Sequence, residues 1–282
     1  MPFLKSFLAE HGTALQVLLY AGLLTTLWLV EWIVSAEPIG VKWNQARLNL
    51  AMMLLALPVQ LTMTILVVLA ATWVTVHHWG ILQLLPGTSS AWSKYGLAFV
   101  LLDFGDYVYH YTMHKFSWLW RFHLVHHSAH EVDVSTTIRE HPGDTFVRVS
   151  FLVFWVLLVG AGWGVLLLRQ TVETIANITS HSKYRLPVPL DRVLGWIFIT
   201  PNLHHVHHHY QQPYTDSNFG DVFSVWDRLF GTYAELPTSA TVFGVDTHPS
   251  KEITNNFREV VMMPFRRQIR RKTETPMWIK PD

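Results

Sequence analysis

Long apolar runs alternate with polar, histidine-rich segments along this chain. Residues 13–34 ("TALQVLLYAGLLTTLWLVEWIV") are nearly uninterrupted apolar, and a helix that crosses a bilayer needs about 20 such residues. Further apolar runs cover residues 48–76, 95–112 and 147–180. The pattern predicts membrane-spanning helices, the first of which is a retained anchor rather than a cleaved signal peptide.

The run at 147–180 is long enough for one long helix or for two short ones. The glycine-rich stretch 160–164 ("GAGWG") interrupts it, and histidines cluster on both of its sides. These clusters can meet only if the chain leaves one membrane face and returns to it. A return requires an even number of crossings, so we expect a hairpin of two helices that turns at the glycines.

The runs together predict an all-α integral membrane protein with four to five transmembrane helices and a helical, histidine-rich cytoplasmic cap. The basic run 266–272 ("RRQIRRK") favours the cytoplasmic face, because positive charges flank membrane helices there. We expect a multi-pass protein of a bacterial inner membrane, with the endoplasmic reticulum as the alternative. The predicted parts are an N-terminal membrane region (1–112), a first cap segment (113–146), the hairpin (147–180) and a second cap segment with the tail (181–282).

Composition agrees with a membrane protein and narrows the chemistry. Charged residues make up 15% of the chain, against about 25% in soluble domains, and 13 tryptophans suit an extensive membrane interface. The absence of cysteine excludes disulfides, thiolate metal sites and cysteine nucleophiles. A net charge of +1 gives no basis for nucleic-acid binding. The 17 histidines are unusual, and they are clustered.

The clustered histidines recur at helical spacings. Residues three or four positions apart lie on one side of a helix, so each group presents its side chains toward a common point. The groups are His110 and His114, the triplet His123, His126 and His127, and the pair Asn177 and His181. Imidazole suits zinc, copper, iron and nickel. Because one metal rarely takes more than about six protein ligands, this number of histidines predicts two metal ions.

A last group, "NLHHVHHHY" (202–210), holds five histidines in six positions. It fits the spacing H-x-x-H-H in two registers. One register uses His204, His207 and His208, and the other uses His205, His208 and His209. Spacing alone leaves both registers open.

Two acidic residues near the first histidines are candidates for orienting a ligand. Asp103 precedes His110 by two helical turns, and Asp106 precedes it by one. A carboxylate near the membrane is costly and is usually functional. We expect one of them to accept the second N–H of a ligating histidine.

Five stretches together resemble the fatty acid hydroxylase/sterol desaturase superfamily, in the expected order over residues 80–233. They are "DFGDYVYHYTMHKFSWLWRFHLVHHS" (103–128), "TTIREHP" (136–142), "NITSHSKYRLP" (177–187), "ITPNLHHVHHH" (199–209) and "NFGDVFSVWDRLFGTY" (218–233). The resemblance implies an integral membrane, non-haem oxygenase with two iron ions, which zinc can replace in purified protein. Dioxygen would be the co-substrate.

Carried over by position, the resemblance also implies nine metal ligands. The family pattern T-P-x-x-H-x-x-H-H selects the earlier register of the last group. Asn177 falls where related desaturases have an asparagine near one metal, and His141, in a His-Pro motif, is expected behind the ligands or as a spare one. Tyr111 and His205 stand where the family commonly has arginine. The implied ligands are His110, His114, His123, His126, His127, His181, His204, His207 and His208.

The expected reaction is hydroxylation of a C–H bond in a lipid from the bilayer, whether an acyl chain, an ether lipid or a sterol. Two electrons would come from a separate electron-transfer protein and its reductase. The alternative is desaturation at the same site. A metal transporter and a two-zinc hydrolase are further candidates, although transporters place ligands in mid-membrane and these histidines follow the apolar runs.

Overall fold

The computed structural model describes residues 2–35, 38–86, 90–248 and 250–266. Over these residues the chain forms helices and no strand, with two isolated β-bridges, so the predicted all-α fold is confirmed for the described part. The helices are α1 (Pro2–Ser35), α2 (Ile39–Val76), α3 (Ala91–Lys115), α4 (Ser117–His127), α5 (Pro142–Val159), α6 (Trp163–Ser180), α7 (Val188–Leu194), α8 (Pro201–His207), α9 (Val225–Phe230), α10 (Lys251–Thr254) and α11 (Phe257–Met262). Short 3-10 turns cover Ile81–Leu84, Val134–Ile138, Tyr214–Asp216, Thr238–Ala240 and Met263–Phe265.

Three stretches of the described helices are long and apolar enough to cross a membrane. They are Gln16–Ser35, Ile39–Leu84 and Pro142–Val159. The predicted spans at 13–34 and 48–76 coincide with α1 and α2. The predicted span at 95–112 lies inside α3, which is as long as these stretches but does not reach their apolar character, and the same holds for α6.

The region predicted as a hairpin forms two helices, α5 and α6, joined by residues 160–162. Gly160 has a φ of 81°, a left-handed conformation that ends helices and suits glycine. A Cβ there would lie 2.1 Å from the carbonyl oxygen of Trp79, so the end of α5 lies directly against the chain that follows α2. Asp144 at the start of α5 and His181 after α6 both contact histidines of α4. The chain therefore leaves the histidine side and returns to it.

Four helices, α2, α3, α5 and α6, share one apolar core. Buried side chains from each of them contact one another, as Ala71, Leu102, Val156 and Val165 illustrate. This packing holds the ends of α3, α5 and α6 together on the histidine side. Helix α1 lies outside this core along α6, where Gln16 Nε2 donates a hydrogen bond to an α6 hydroxyl (3.0 Å).

Arg139 connects the helices beneath the histidines. Its side chain is 1% exposed, and its guanidinium donates to four acceptors from distant parts of the chain. These are the carbonyl oxygens of Val125 (2.8 Å) and Thr254 (2.7 Å), Ser128 Oγ (2.8 Å) and Asn49 Oδ1 (3.1 Å). A buried charge is tolerated only when it is well paired, so this arginine fixes α2, α4 and α10 relative to one another.

A second buried network connects the α1–α2 junction to the cap. Lys42 Nζ lies 3.0 Å from Glu31 Oε2 and 3.1 Å from Asp133 Oδ2, and the lysine side chain is fully buried. Glu31 Oε1 also accepts a hydrogen bond from the backbone N–H of Lys183 (2.8 Å). Both predicted cap segments, 113–146 and 181–282, are thus attached to the same buried ion group.

Replacing Arg139 by alanine should destabilise the protein strongly, because four buried acceptors would lose a charged donor. We expect a loss of about 3 kcal/mol or more in the free energy of unfolding. The exposed Arg121 on α4 is a matched control, for which alanine should cost less than about 0.5 kcal/mol. Thermal unfolding of the detergent-purified variants measures both effects. Equal unfolding midpoints would contradict the anchoring role of Arg139.

Candidate metal centre

Nine histidine side chains converge where α3, α4, α6 and α8 end. They form two groups, within each of which the possible ligand atoms lie within 4.8 Å of one another. Site A consists of His110, His114, His123, His127 and His207, and site B consists of His126, His181, His204 and His208. The structure therefore brings together the nine positions that the resemblance assigns as ligands.

Each H-x-x-H-H triplet is divided between the two sites. On α4, the first and last histidines of the triplet belong to site A and the middle one, His126, belongs to site B. On α8 the assignment is reversed, and only the middle histidine, His207, belongs to site A. Neighbouring residues on a helix point about 100° apart, so adjacent histidines serve different sites, while those four apart share one.

The distances in site B fit a single metal ion. His181 Nε2 lies 3.1 Å from the Nε2 of His126, 3.0 Å from that of His204 and 3.2 Å from that of His208. The Nε2 atoms of His204 and His208 are 3.2 Å apart. Imidazole nitrogens bound at the usual distance to one ion lie roughly 3.0–3.4 Å from each other. Site B thus has the spacing of a metal site.

Buried nitrogens in site A indicate the same chemistry. The Nε2 atoms of His110 and His123 are 3.1 Å apart. The Nε2 atoms of His114, His127 and His207 are buried and have no hydrogen-bond partner in the described part of the chain. A buried polar atom without a partner costs free energy. A metal ion would accept these lone pairs, so the donor set fits a second ion.

Two carboxylates orient histidines of site A from outside. His123 Nδ1 lies 2.8 Å from Asp144 Oδ2, and His114 Nδ1 lies 3.3 Å from Asp216 Oδ1. A carboxylate that accepts the Nδ1–H of a ligand fixes the ring and leaves Nε2 for the metal. Sequence reasoning missed both residues. Asp144 follows the His-Pro motif by two positions, which is a usable signal, whereas Asp216 lies 102 residues after its histidine with no local pattern.

Backbone carbonyls orient three further ligands in the same way. His110 Nδ1 lies 3.0 Å from the oxygen of Phe219, and His207 Nδ1 lies 2.8 Å from that of Ser217. His181 Nδ1 lies 2.8 Å from the carbonyl oxygen of Asn177. Because a carbonyl oxygen only accepts, each Nδ1 donates and each Nε2 keeps its lone pair. Five of the nine rings are thus held in the tautomer that binds metal through Nε2.

Burial keeps the histidines of the second cap segment neutral. Burial and the neighbouring imidazoles lower the pKa of His204, His207 and His208 well below the usual value. Burial also lowers the pKa of His181 to about 4. Neutral imidazole is the ligating form, so these donors need not lose a proton at neutral pH.

Asp103 holds a loop rather than a histidine. Its carboxylate accepts hydrogen bonds from the backbone N–H of Val222 (3.1 Å) and from Trp226 Nε1 (2.7 Å). Asp103 and His110 are seven positions apart, which corresponds to a rise of about 10 Å along the helix. The prediction that Asp103 orients a ligand is therefore wrong, because sharing a helix face does not bring the two side chains together.

Asp106 is paired with a buried cation. Arg169 on α6 donates from Nε to Asp106 Oδ2 (3.0 Å) and pairs closely with the other carboxylate oxygen. Arg169 Nη1 also lies 2.8 Å from Glu173 Oε2. The prediction for Asp106 is also wrong, because the ion pair with Arg169 replaces a contact with His110.

Asn177 and His141 lie behind the ligands. The side-chain amide nitrogen of Asn177 donates to Asp221 Oδ1 (2.8 Å). Its main-chain carbonyl oxygen is the atom that contacts His181. His141 belongs to neither site. It is the N-cap of α5, where its Nδ1 accepts a backbone N–H (3.0 Å). It thereby fixes the start of the helix that carries Asp144.

The two remaining histidines of "NLHHVHHHY" lie outside both sites. His205 is buried with its ring 5.2 Å from that of Phe243, and His209 Nδ1 accepts the backbone N–H of Val242 (3.1 Å). The two sites therefore contain the histidines of the earlier register, His204, His207 and His208. Tyr111, the other departure from the family pattern, packs its ring 5.5 Å from Phe219.

The part of the chain that carries the nine histidines matches a known family model. Residues 95–232, which include all nine, match the family model for fatty acid hydroxylase. Ornithine lipid hydroxylase OlsE of Rhizobium tropici is 31% identical over 178 residues, which cover 62% of this chain and 51% of that protein. Alkylglycerol monooxygenase of Danio rerio is 33% identical over 162 residues, covering 57% of this chain and 34% of that protein.

Similarity extends to sterol hydroxylase-like proteins. Cholesterol 25-hydroxylase-like protein 1, member 2 of Danio rerio is 28% identical over 151 residues, which are 49% of each chain. The chain spans about half of the length of the ornithine lipid hydroxylase and about a third of the length of the Danio rerio alkylglycerol monooxygenase. No solved structure gives a significant match.

Metal analysis of two alanine variants tests the register. His204→Ala should reduce the metal content from two ions per chain toward one, because site B would keep three of its four histidines. His209→Ala should keep both ions, since His209 only accepts a backbone hydrogen bond. Plasma mass spectrometry of anaerobically purified protein measures the stoichiometry. Loss of metal from His209→Ala with retention by His204→Ala would shift the register by one residue.

Asp144→Asn should weaken metal binding at site A while keeping the shape of the side chain. The amide oxygen of asparagine can still accept from His123 Nδ1 but carries no negative charge, and mutating the carboxylate behind a ligand histidine lowers metal affinity by about 10- to 100-fold. Competition with a chromophoric chelator measures the affinity. Glu252→Gln, at an exposed carboxylate in the cap, is the control and should leave the affinity unchanged. Equal affinities for the two variants would remove Asp144 from the site.

Proposed function

Because the chain belongs to the fatty acid hydroxylase superfamily, we propose that it is a membrane oxygenase. It inserts one oxygen atom from dioxygen into a C–H bond of a lipid, while two external electrons and two protons reduce the other oxygen atom to water. The observation that carries the proposal is the pair of adjacent histidine sites, A and B, within the matched domain. The sequence similarity to lipid hydroxylases and monooxygenases supports the reaction class.

The proposed cofactor is a pair of iron ions, although zinc can occupy the same nitrogen donors in purified protein. Iron would supply the oxidising power toward an unactivated C–H bond that no side chain has. The chain itself holds the ions at fixed positions through nine imidazoles. Asp144 and Asp216 keep the protons of their partner histidines on Nδ1, so the Nε2 lone pairs stay directed inward.

The proposed membrane arrangement has four to five crossings. The three apolar stretches in α1, α2 and α5 are the primary candidates. Helices α3 and α6 are proposed to cross as well, because they share one core with α2 and α5 and connect the two sides of that core. The histidine sites then lie on one membrane face. We propose the cytoplasmic face of a bacterial inner membrane, with the endoplasmic reticulum as the alternative.

The proposed substrate is a lipid of the bilayer: an acyl lipid, an ether lipid or a sterol. The names of the relatives cover an ornithine lipid, alkylglycerols and cholesterol, which share long apolar parts and a small polar end. A substrate of this kind can reach the sites from the membrane without entering water. The electrons are proposed to come from a separate electron-transfer protein and its reductase.

Isotope-labelled lipid analysis tests the reaction. Cells that express the protein under ¹⁸O₂ should accumulate a lipid that has gained one ¹⁸O atom, because hydroxylation takes its oxygen from dioxygen. His126→Ala should abolish this product, since it removes a donor from site B. His77→Ala, at an exposed histidine after α2, is the matched control and should retain the product.

Other outcomes of the same experiment assign a different reaction. A lipid that has lost two hydrogens without gaining oxygen would make the protein a desaturase. Cleaved lipids that carry oxygen from water would indicate a two-zinc hydrolase. No change in lipids, together with metal accumulation in a separate uptake assay on vesicles, would indicate a transporter. Any of these results overturns hydroxylation.

A further inference from the structure

One surface of the cap exposes large apolar side chains although it is not part of any candidate span. Helix α7 has seven residues and buries none of them. In and after α7, Val193 is 69% exposed and Trp196 is 64% exposed, and on α9 Leu229 is 66% exposed. We call this surface the α7–α9 patch. It is formed by Val188, Val193, Trp196, Ile197, Leu229 and Phe230.

Water is an unsuitable environment for this surface. An isolated helix shorter than about 12 residues is marginal in water, and α7 gains no burial from its own apolar side chains. Extended apolar patches on soluble proteins usually mark an interface. The patch therefore needs an apolar neighbour that the described residues do not supply.

The patch is held as one rigid surface. Arg228 Nη2 donates to the carbonyl oxygen of Gly195 (3.0 Å), and its guanidinium lies 4.3 Å from the ring centroid of Trp196. Ser224 Oγ donates to the same carbonyl (2.7 Å). The segment after α7 and the start of α9 are thus fixed to each other, so their exposed side chains lie on neighbouring, connected segments.

Contacts between aromatic rings connect the patch to α3. The ring of Phe198, beside the patch, lies 5.8 Å from that of Phe223, which lies 5.9 Å from the ring of Phe99 on α3. Phe230 of the patch lies 5.7 Å from Phe104, also on α3. The apolar surface of the cap therefore continues along a helix that shares its core with two of the candidate membrane spans.

We propose that the α7–α9 patch lies in the lipid monolayer on the histidine side, at the boundary between headgroups and acyl chains. A tryptophan beside arginines, here Trp196 with Arg192 and Arg228, is the composition typical of such an interface. The patch contacts the bilayer itself. This contact is separate from the proposed oxygenase reaction and from the proposed membrane-spanning helices.

The patch would also set the depth of the metal sites. Asp191 of α7 accepts a hydrogen bond from the hydroxyl of Thr200 (2.6 Å), the residue that caps α8. The backbone N–H of Ile199 donates to the carbonyl oxygen of Val222 (2.9 Å). Helix α8, which carries ligands of both sites, therefore begins from a segment seated in the monolayer.

Single cysteines can test this placement because the chain has none of its own. Val193→Cys and Leu229→Cys, each labelled with an environment-sensitive fluorophore in lipid nanodiscs, report on the patch. Leu61→Cys on the exposed side of α2 is the lipid control, and Ser239→Cys at an exposed cap position is the water control. Metal content confirms that each labelled protein is folded.

The two patch labels should behave like the Leu61 label. We expect blue-shifted emission, strong quenching by spin-labelled acyl chains and loss of quenching by aqueous iodide. Labels that respond like Ser239 would overturn the proposal, as would labels shielded from both quenchers, which would mean that protein covers the patch. The readout does not depend on catalysis, so an inactive preparation leaves this test intact and a failed patch leaves the proposed reaction standing.

Discussion

The packing of nine buried or half-buried imidazoles around two centres is the constraint on which the rest of the structure depends. Nitrogen lone pairs that face one another repel unless a cation lies between them. The protein must therefore hold each ring from behind, through its Nδ1. Carboxylates do this for His123 and His114, and main-chain carbonyls do it for three more rings. The division of each triplet between both sites follows from helix geometry alone.

The rings keep their places only if several helix ends have fixed positions relative to one another, and buried charged side chains fix those positions. Arg139 is surrounded by acceptors from α2, α4 and α10, and Lys42 joins the α1–α2 junction to the first cap segment. Apolar packing alone tolerates small sliding movements, whereas a buried cation with several directed partners does not. Buried polar contacts thus fix the segments that carry the histidines, and the shared apolar core of four helices supports them.

The elements with strong local patterns were predictable from the sequence. Apolar runs predicted α1, α2, α5 and α6. Helical spacing predicted that each histidine triplet faces a common point, whereas the structure divides each triplet between the two sites. Helix α8 carries the histidine spacing, whereas the short helices α7, α9, α10 and α11 have between four and seven residues each, too few for a periodic pattern to predict them.

The supporting residues of the site show the same limit. Asp216 and Arg139 act on partners far away along the chain, which no local pattern reveals. Asp103 and Asp106 were assigned to the wrong partners. Their spacing shows which side of the helix they share with His110, but not the distance along the helix axis or the other side chains that pair with them. Histidines four positions apart on a helix lie in the same group, as their spacing predicts, whereas the partners of the carboxylates depend on contacts between distant parts of the fold.

The division of the triplets also has a consequence for biosynthesis. Site A takes four histidines from before the α5–α6 hairpin and only His207 from after it, whereas site B takes only His126 from before. The first group of histidines is complete only once His207 has been translated, and the second only once His208 has been translated. Because synthesis proceeds from the N-terminus, the hairpin is made before either ion can be fully enclosed. Capture of the proposed metal ions would therefore be a late event in synthesis, and a chain that ends before these residues would lack part of both histidine groups.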